Sequence, residues 1–180
     1  MRIEALYNVS KQLLLQHRLD ETKYIELALV LSKGQAHIWQ EGVFICREGS
    51  LASQMFVLLE GSVRLAKEKP SSLETLSHIH APTMIGQIGL LDCSRREASC
   101  IANNRLIGIS ITKSQFFALL AENSEGGSIF RQLMLAIMSK QLCQSNEIVR
   151  NQQPAHSHHD PEVMSLIYEF TREAEGEHLR

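Results

Sequence analysis

The residues best equipped for chemistry fall in one stretch, MIGQIGLLDCSRREASC, residues 84–100. Gly86 and Gly89 stand three apart in an apolar run, and Arg95 and Arg96 follow just before a small-residue segment that reads as the start of a strand. A guanidinium flanked by segments of buried character needs an anion. Either a neighbouring carboxylate, Asp92 or Glu97, supplies that anion to Arg96, or a ligand does.

Other reactive residues form weaker patterns. His78 and His80 share one face of a strand, a spacing that can bind a metal, but no paired cysteine or carboxylate motif accompanies them. His156, His158, His159 and Asp160 lie close together in a polar segment that reads as a solvated linker. No metal site is expected from either group. Cys46, Cys93, Cys100 and Cys143 make no CxxC pair, so reduced thiols in a cytoplasmic protein are expected. Serine, histidine and aspartate are present without a GxSxG elbow, and nothing points to an enzyme.

The 180 residues suit one domain with an appendage. Apolar residues make up 44% and charged residues 21%, and the net charge is −2. Such a balance creates no field that draws the chain to nucleic acid or to an anionic membrane. No window is apolar for long enough to cross a bilayer, and the start shows no apolar core before a small-residue cleavage site, so no secretory leader is expected.

The elements that must position the arginines are legible in outline. Residues 2–33 read helical, with Asp20 capping after a break. From Gly34 come short segments rich in β-branched and aromatic residues: 35–40, VFICR (43–47), MFVLLE (55–60) and SVRLAK (62–67). Glu41-Gly42, Glu48-Gly49-Ser50 and Glu60-Gly61 separate them as turns. KPSSLE (69–74) reads as a polar loop and LSHIH (76–80) as another strand. ASCIA (98–102) and RLIGISI (105–111) read as a hairpin around Asn103-Asn104. This spacing predicts an all-β sandwich or barrel.

Helix returns at the end. Ser114 is the expected cap of 114–123, and Asn123, Gly126 and Gly127 are expected breakers before a long helix over about 128–150. On it Phe130, Leu133, Met134 and Ile137 face the β part, while Leu135, Met138, Leu142, Ser145 and Val149 keep heptad spacing that suits a homodimer seam. A polar linker over 151–159 and a short helix begun by Asp160 and Pro161 complete the reading. The domains are therefore 1–150 and a tail, 151–180.

The order of elements and the 84–100 stretch resemble the cyclic-nucleotide-binding domain family, which includes the catabolite activator protein, the regulatory subunit of cyclic-AMP-dependent kinase and nucleotide-gated channels. The resemblance covers about residues 10–150. The family's phosphate-binding cassette reads apolar-Gly-Glu, a small and two apolar residues, then Arg-x-Ala-Ser/Thr. Ile85, Gly86, Gln87, Ile88, Gly89, Leu90 and Leu91 match its first part, and Arg96, Glu97, Ala98 and Ser99 its second. The strand-turn REGS (47–50) and the hairpin LLEGSVRL (58–65) match further family features. The resemblance implies a mainly β fold, a double-stranded β-helix or jelly roll, with N-terminal helices and a long C-terminal helix.

It also implies a site. Gly86 lets the backbone approach a cyclic phosphate closely, a short helix behind it aims N–H groups at that phosphate, and Arg96 pairs with the phosphate oxygens. Ser145 and Asn146 on the last long helix are the candidates for contact with the base. Two residues depart from the pattern. Gln87 replaces the glutamate that holds the ribose 2′-hydroxyl; a charged acceptor makes a bond worth about 1.5–3 kcal/mol against about 1 for a neutral one, so the change costs on the order of tenfold in affinity. Glu97 replaces a small residue; facing inward at about 6 Å from a phosphate it would repel by roughly 3 kcal/mol at an effective dielectric near 20, and strand alternation turns it outward if Arg96 points inward.

The expectation is a regulatory sensor of cyclic AMP or cyclic GMP that signals through its C-terminal helix to a protein partner. The alternative is a degenerate domain that binds no nucleotide and serves as a protein-interaction scaffold. Many relatives continue into a DNA-binding helix-turn-helix, but the remaining acidic segment, PEVMSLIYEFTREAEGEHLR, supplies no recognition helix, so nucleic-acid binding by this chain is not expected.

Overall fold

The computed structural model describes residues 3–152. The chain divides into two compact units after Ser139. The first opens with α1 (Ile3–Gln16), a 3-10 turn (Glu21–Lys23) and α2 (Tyr24–Leu31). Asp20 caps the 3-10 turn, as expected, by accepting from the Thr22 N–H at 3.0 Å.

Eight strands follow: β1 (Gln35–Trp39), β2 (Phe44–Cys46), β3 (Gln54–Glu60), β4 (Ser62–Lys69), β5 (Ser72–His80), β6 (Thr83–Ile85), β7 (Ser99–Ala102) and β8 (Leu106–Thr112). Between β6 and β7 lies the short helix α3 (Gln87–Leu91). The strands form two antiparallel sheets, ordered β1-β8-β3-β6 and β2-β7-β4-β5. This is the β-roll with flanking helices that the resemblance implies.

The period-2 alternation of strands builds two cores. Phe56 and Leu58 of β3 meet Val63 of β4 and Cys100 and Ala102 of β7, filling the space between the sheets. Met55 and Val57 point the other way, into a second cluster with Leu13, Leu27, Phe116, Phe130 and Ile137 from the helices. Strand β3 is thus buried on both faces, which explains its unbroken apolar run MFVLL.

Helix α4 (Lys113–Ala121) and α5 (Glu125–Gln152) end the described chain. Phe130, Leu133, Met134 and Ile137 join the helical core as the spacing predicts. Leu135 stays 68% exposed.

The structure corrects the sequence reading at several places. KPSSLE is no loop: β4 and β5 run through it, pairing Glu68 with Leu73 and Lys69 with Ser72, and only Pro70 and Ser71 turn. Its polar composition reflects exposure, since β5 is an edge strand whose tip is wet. Neither expected hairpin forms: β7 and β8, joined through Asn103-Asn104, belong to different sheets, and so do β3 and β4, joined through Gly61 in LLEGSVRL. The two asparagines instead tie the crossing to β4: Asn104 Oδ1 accepts from the Ser62 N–H at 2.9 Å, and the Asn103 N–H donates to the Ser62 carbonyl at 2.9 Å.

The cap of α4 is Thr112, not Ser114. Thr112 and Gln115 form a reciprocal capping box. Helix α5 starts at Glu125, and Gly126 and Gly127 lie inside its first turn. They are there for close packing, since a Cβ at 126 would sit 2.7 Å from Val30 Cγ2 and one at 127 would sit 2.3 Å from the Glu122 carbonyl oxygen. The linker over 151–159 begins beyond Arg150, and all but its first two residues lie outside the described residues, as does the tail helix begun at Asp160. Residues 151 and 152 continue α5.

Candidate ligand-binding site

Segments distant in sequence converge on Arg96. Its Nη1 donates to the Gly86 carbonyl at 2.9 Å, and its Nη2 donates to the Gln54 carbonyl. The backbone beside it is clasped as well. The Arg96 N–H donates to the Ser50 carbonyl and the Gly49 N–H to the Arg96 carbonyl, both at 2.8 Å. Arg95 Nη1 adds a bond to the Gly49 carbonyl at 2.7 Å. The REGS turn and the second half of the cassette are therefore one structural unit, although the sequence separates them.

Gly86 precedes α3 with φ +82° and ψ 5°, in the left-handed region. A Cβ there would stand 2.5 Å from Arg96 Nη1 and 3.2 Å from its Cζ. Only glycine lets the chain turn into α3 while the guanidinium lies flat against it. Gly89 plays a similar part, since its Cβ would meet Ala52 Cβ at 2.9 Å.

Arg96 is half-buried, and among the described residues it makes no ion pair. Asp92, one of the two carboxylates the sequence offered it, accepts from the Ser94 N–H at 2.9 Å; the Ser94 hydroxyl and N–H hold its carboxyl below the usual range. Glu97, the other, is exposed. The side-chain anion considered for Arg96 is thus neither of them. The guanidinium carries five N–H donors, and the two carbonyls engage one on each terminal nitrogen.

The remaining expected site residues fall as follows. Gln87 is 1% exposed at the start of α3, Ile88 is 48% exposed on the same helix, and Leu90 is fully buried in the helical core. Ala98 is half-buried beside Glu97. Ser145 and Asn146 are exposed on α5 beyond Ser139, in the second unit. Among the described residues no three histidine, cysteine, aspartate or glutamate side chains gather as a metal site.

Sequence reasoning missed four contributors. Gln54 and Ser50 act through backbone carbonyls, which no side-chain pattern reveals. Cys46 and Cys100 lie opposite one another on β2 and β7, near Arg96. The facing Cys100, opposed by burial and aided by the Arg96 guanidinium, lowers the Cys46 thiol. The facing Cys46, together with burial, pushes the Cys100 thiol up. Below Arg96, Ser99 is buried and links two acids: its Oγ accepts from the Glu48 N–H at 2.8 Å and donates to Glu68 Oε1 at 2.6 Å.

Two clefts lie elsewhere in the first unit. One of about 550 Å³ is lined by Phe44, Arg47, Arg64, Glu68, Lys69, Ser72 and Leu73. Another of about 400 Å³ lies between α1 and the first sheet, lined by Val9, His37, Leu59 and Ile107 among others. Neither includes Arg96 in its lining. No described helix is long and apolar enough to cross a membrane.

Comparison with known proteins bears on the fold. Residues 37–123 match the family model for the cyclic nucleotide-binding domain. A solved cyclic nucleotide-binding domain from Methylobacillus flagellatus KT is 18% identical with a TM-score of 0.67, covering 86% of each chain. The catabolite activator protein of Thermus thermophilus is 20% identical with a TM-score of 0.58 over 71% of this chain, which spans 57% of that protein. The N-terminal domain of a transcriptional regulator from Streptomyces coelicolor A3(2) is 19% identical with a TM-score of 0.55, covering 68% of this chain and 86% of that one. At such identities the likeness is one of fold. No curated protein sequence matches the chain. Residues 37–123 thus match the cyclic nucleotide-binding domain family's model, and the two-sheet roll that holds the Gly86–Arg96 bond has that family's fold.

Proposed function

We propose that the domain is a regulatory sensor that binds cyclic AMP or cyclic GMP, with Arg96 pairing to the cyclic phosphate and α5 carrying the signal to a protein partner. One observation carries the reading. The Arg96 guanidinium is half-buried against two neutral carbonyls and pairs with no carboxylate among the described residues. A cation in that setting favours an anion, and a cyclic phosphodiester offers one negative charge with oxygens suited to a planar fork.

The cradle fits such a ligand. Gly86 has no Cβ to stand between the backbone and the guanidinium, and Glu97, the acid that would repel a phosphate, is exposed. Leu135 and Leu142, 68% and 63% exposed on α5, support a homodimer as the form that transmits the signal.

Calorimetry with each nucleotide tests the proposal. Saturable heat is expected with at least one of them. Arg96→Ala should weaken binding by about 2–5 kcal/mol, the usual cost of removing one partner of a hydrogen-bonded charge pair; at 1.4 kcal/mol per tenfold this is at least about thirtyfold. Absence of heat at millimolar nucleotide, with the protein folded by circular dichroism, would overturn the sensor reading and leave an interaction scaffold.

A further inference from the structure

Cys46 and Cys100 are direct partners in the antiparallel pairing of β2 with β7. Directly opposed residues of a regular antiparallel ladder hold their Cα atoms about 4.5–5.5 Å apart, inside the window of about 4.4–6.8 Å that a disulfide spans, and the irregularity in this ladder falls between Phe44 and Cys46, before the pair. Both side chains belong to the cluster between the two sheets. Cys100 is 2% exposed, whereas Cys46 is half-buried and within reach of a small reagent. The remaining cysteines differ: Cys93 is exposed beside Lys113 Nζ at 3.0 Å, and Cys143 is exposed on α5 beyond Ser139.

We propose that Cys46 and Cys100 form an oxidisable dithiol, a modification site at which hydrogen peroxide closes a disulfide between β2 and β7. The inference goes beyond the nucleotide reading and does not depend on it. The environment prepares the chemistry. Cys46 is the more accessible of the pair, and the facing Cys100 and the Arg96 guanidinium lower its thiol, so Cys46 is the thiolate. That thiolate attacks one peroxide oxygen. The S–O bond forms, the O–O bond breaks, and hydroxide leaves, giving a sulfenic acid on Cys46. The Cys100 sulfur then displaces the sulfenic oxygen; the S–S bond forms, and the thiol proton leaves with that oxygen as water. Two thiols are oxidised, one peroxide is reduced, and no other reactant is needed.

The test treats the reduced full-length chain with hydrogen peroxide, blocks residual thiols after denaturation, and maps the peptides by mass. A cross-linked Cys46–Cys100 peptide that dithiothreitol releases is expected. In a Cys93→Ser/Cys143→Ser chain the intact mass should fall by about 2 Da for the two hydrogens lost. Adding Cys100→Ser should stop Cys46 at a gain of about 16 Da, the sulfenic oxygen, trapped by dimedone. The wild-type peptide map decides the matter even if a variant fails to fold. Recovery of Cys46 and Cys100 as blocked thiols, or oxidised without a bond between them, would overturn the proposal.

Discussion

Arg96 Nη1 donates to the Gly86 carbonyl at 2.9 Å, joining the two halves of the cassette across ten positions of chain. The bond needs the left-handed turn at Gly86, because a side chain there would occupy the guanidinium's place. Backbone conformation at one residue thus sets the position of the charge at the other.

Gly86→Ala should break this arrangement. The backbone strain at φ +82° costs about 1–3 kcal/mol, before any displacement of Arg96 is counted. For a chain of this size each kcal/mol lowers Tm by about 2–4 °C. Differential scanning calorimetry should show that drop, with nucleotide binding lost in parallel. A variant with unchanged Tm and affinity would contradict the coupling.

Gln87→Glu should raise affinity on the order of tenfold for a nucleotide with a ribose 2′-hydroxyl, since a charged acceptor strengthens that bond. A 2′-deoxy analogue should gain nothing. Because residue 87 is 1% exposed, the ligand-free variant should also melt earlier than the wild type, as a buried carboxylate loses hydration. Equal gains for both ligands would place residue 87 away from the sugar.

Thr112→Ala should cost about 0.5–2 kcal/mol, the usual loss for a helix N-cap, through the capping box with Gln115. Ser114→Ala should stay within about 0.5 kcal/mol, as surface changes do. Urea denaturation of the pair distinguishes the two assignments, and the reverse order of costs would restore Ser114 as the cap.

Glu48 should contribute an acid-sensitive part of stability. The Glu68 N–H at 2.8 Å, then Lys67 Nζ at 3.0 Å, hold its carboxyl below the ordinary glutamate value of 4.5. A carboxyl lowered in the folded state stabilises the fold above that ordinary value and stops doing so as pH falls through the lowered one. Melting curves from pH 7 down to about 3 should therefore show a loss that Glu48→Gln makes shallower. An identical slope in the variant would remove Glu48 from the account.

Much of this was readable from local pattern. Short apolar segments punctuated by Glu-Gly turns announced a β sandwich or barrel, the family resemblance narrowed it to the roll and singled out Gly86 and Arg96, and Phe130, Leu133, Met134 and Ile137 announced the buried face of α5. Such signals survive because period, turn chemistry and side-chain type act within a few residues of chain. The loop reading of KPSSLE failed for a related reason: polarity in an exposed edge strand looks the same as polarity in a loop.

The sequence by itself determined a run of short strands between flanking helices, and its resemblance to the cyclic nucleotide-binding domain family implied the roll and the Gly86–Arg96 cassette. Only the tertiary structure decided what that arginine touches, which sheet each of β7 and β8 joins, and that Cys46 faces Cys100. The reason is register. A strand's alternation states which residues share a face, but the partner across the ladder is chosen by the packing of the whole roll. Backbone carbonyls such as those of Gly86 and Gln54 carry no side-chain signature at all, so their role appears only when the chain is folded around them.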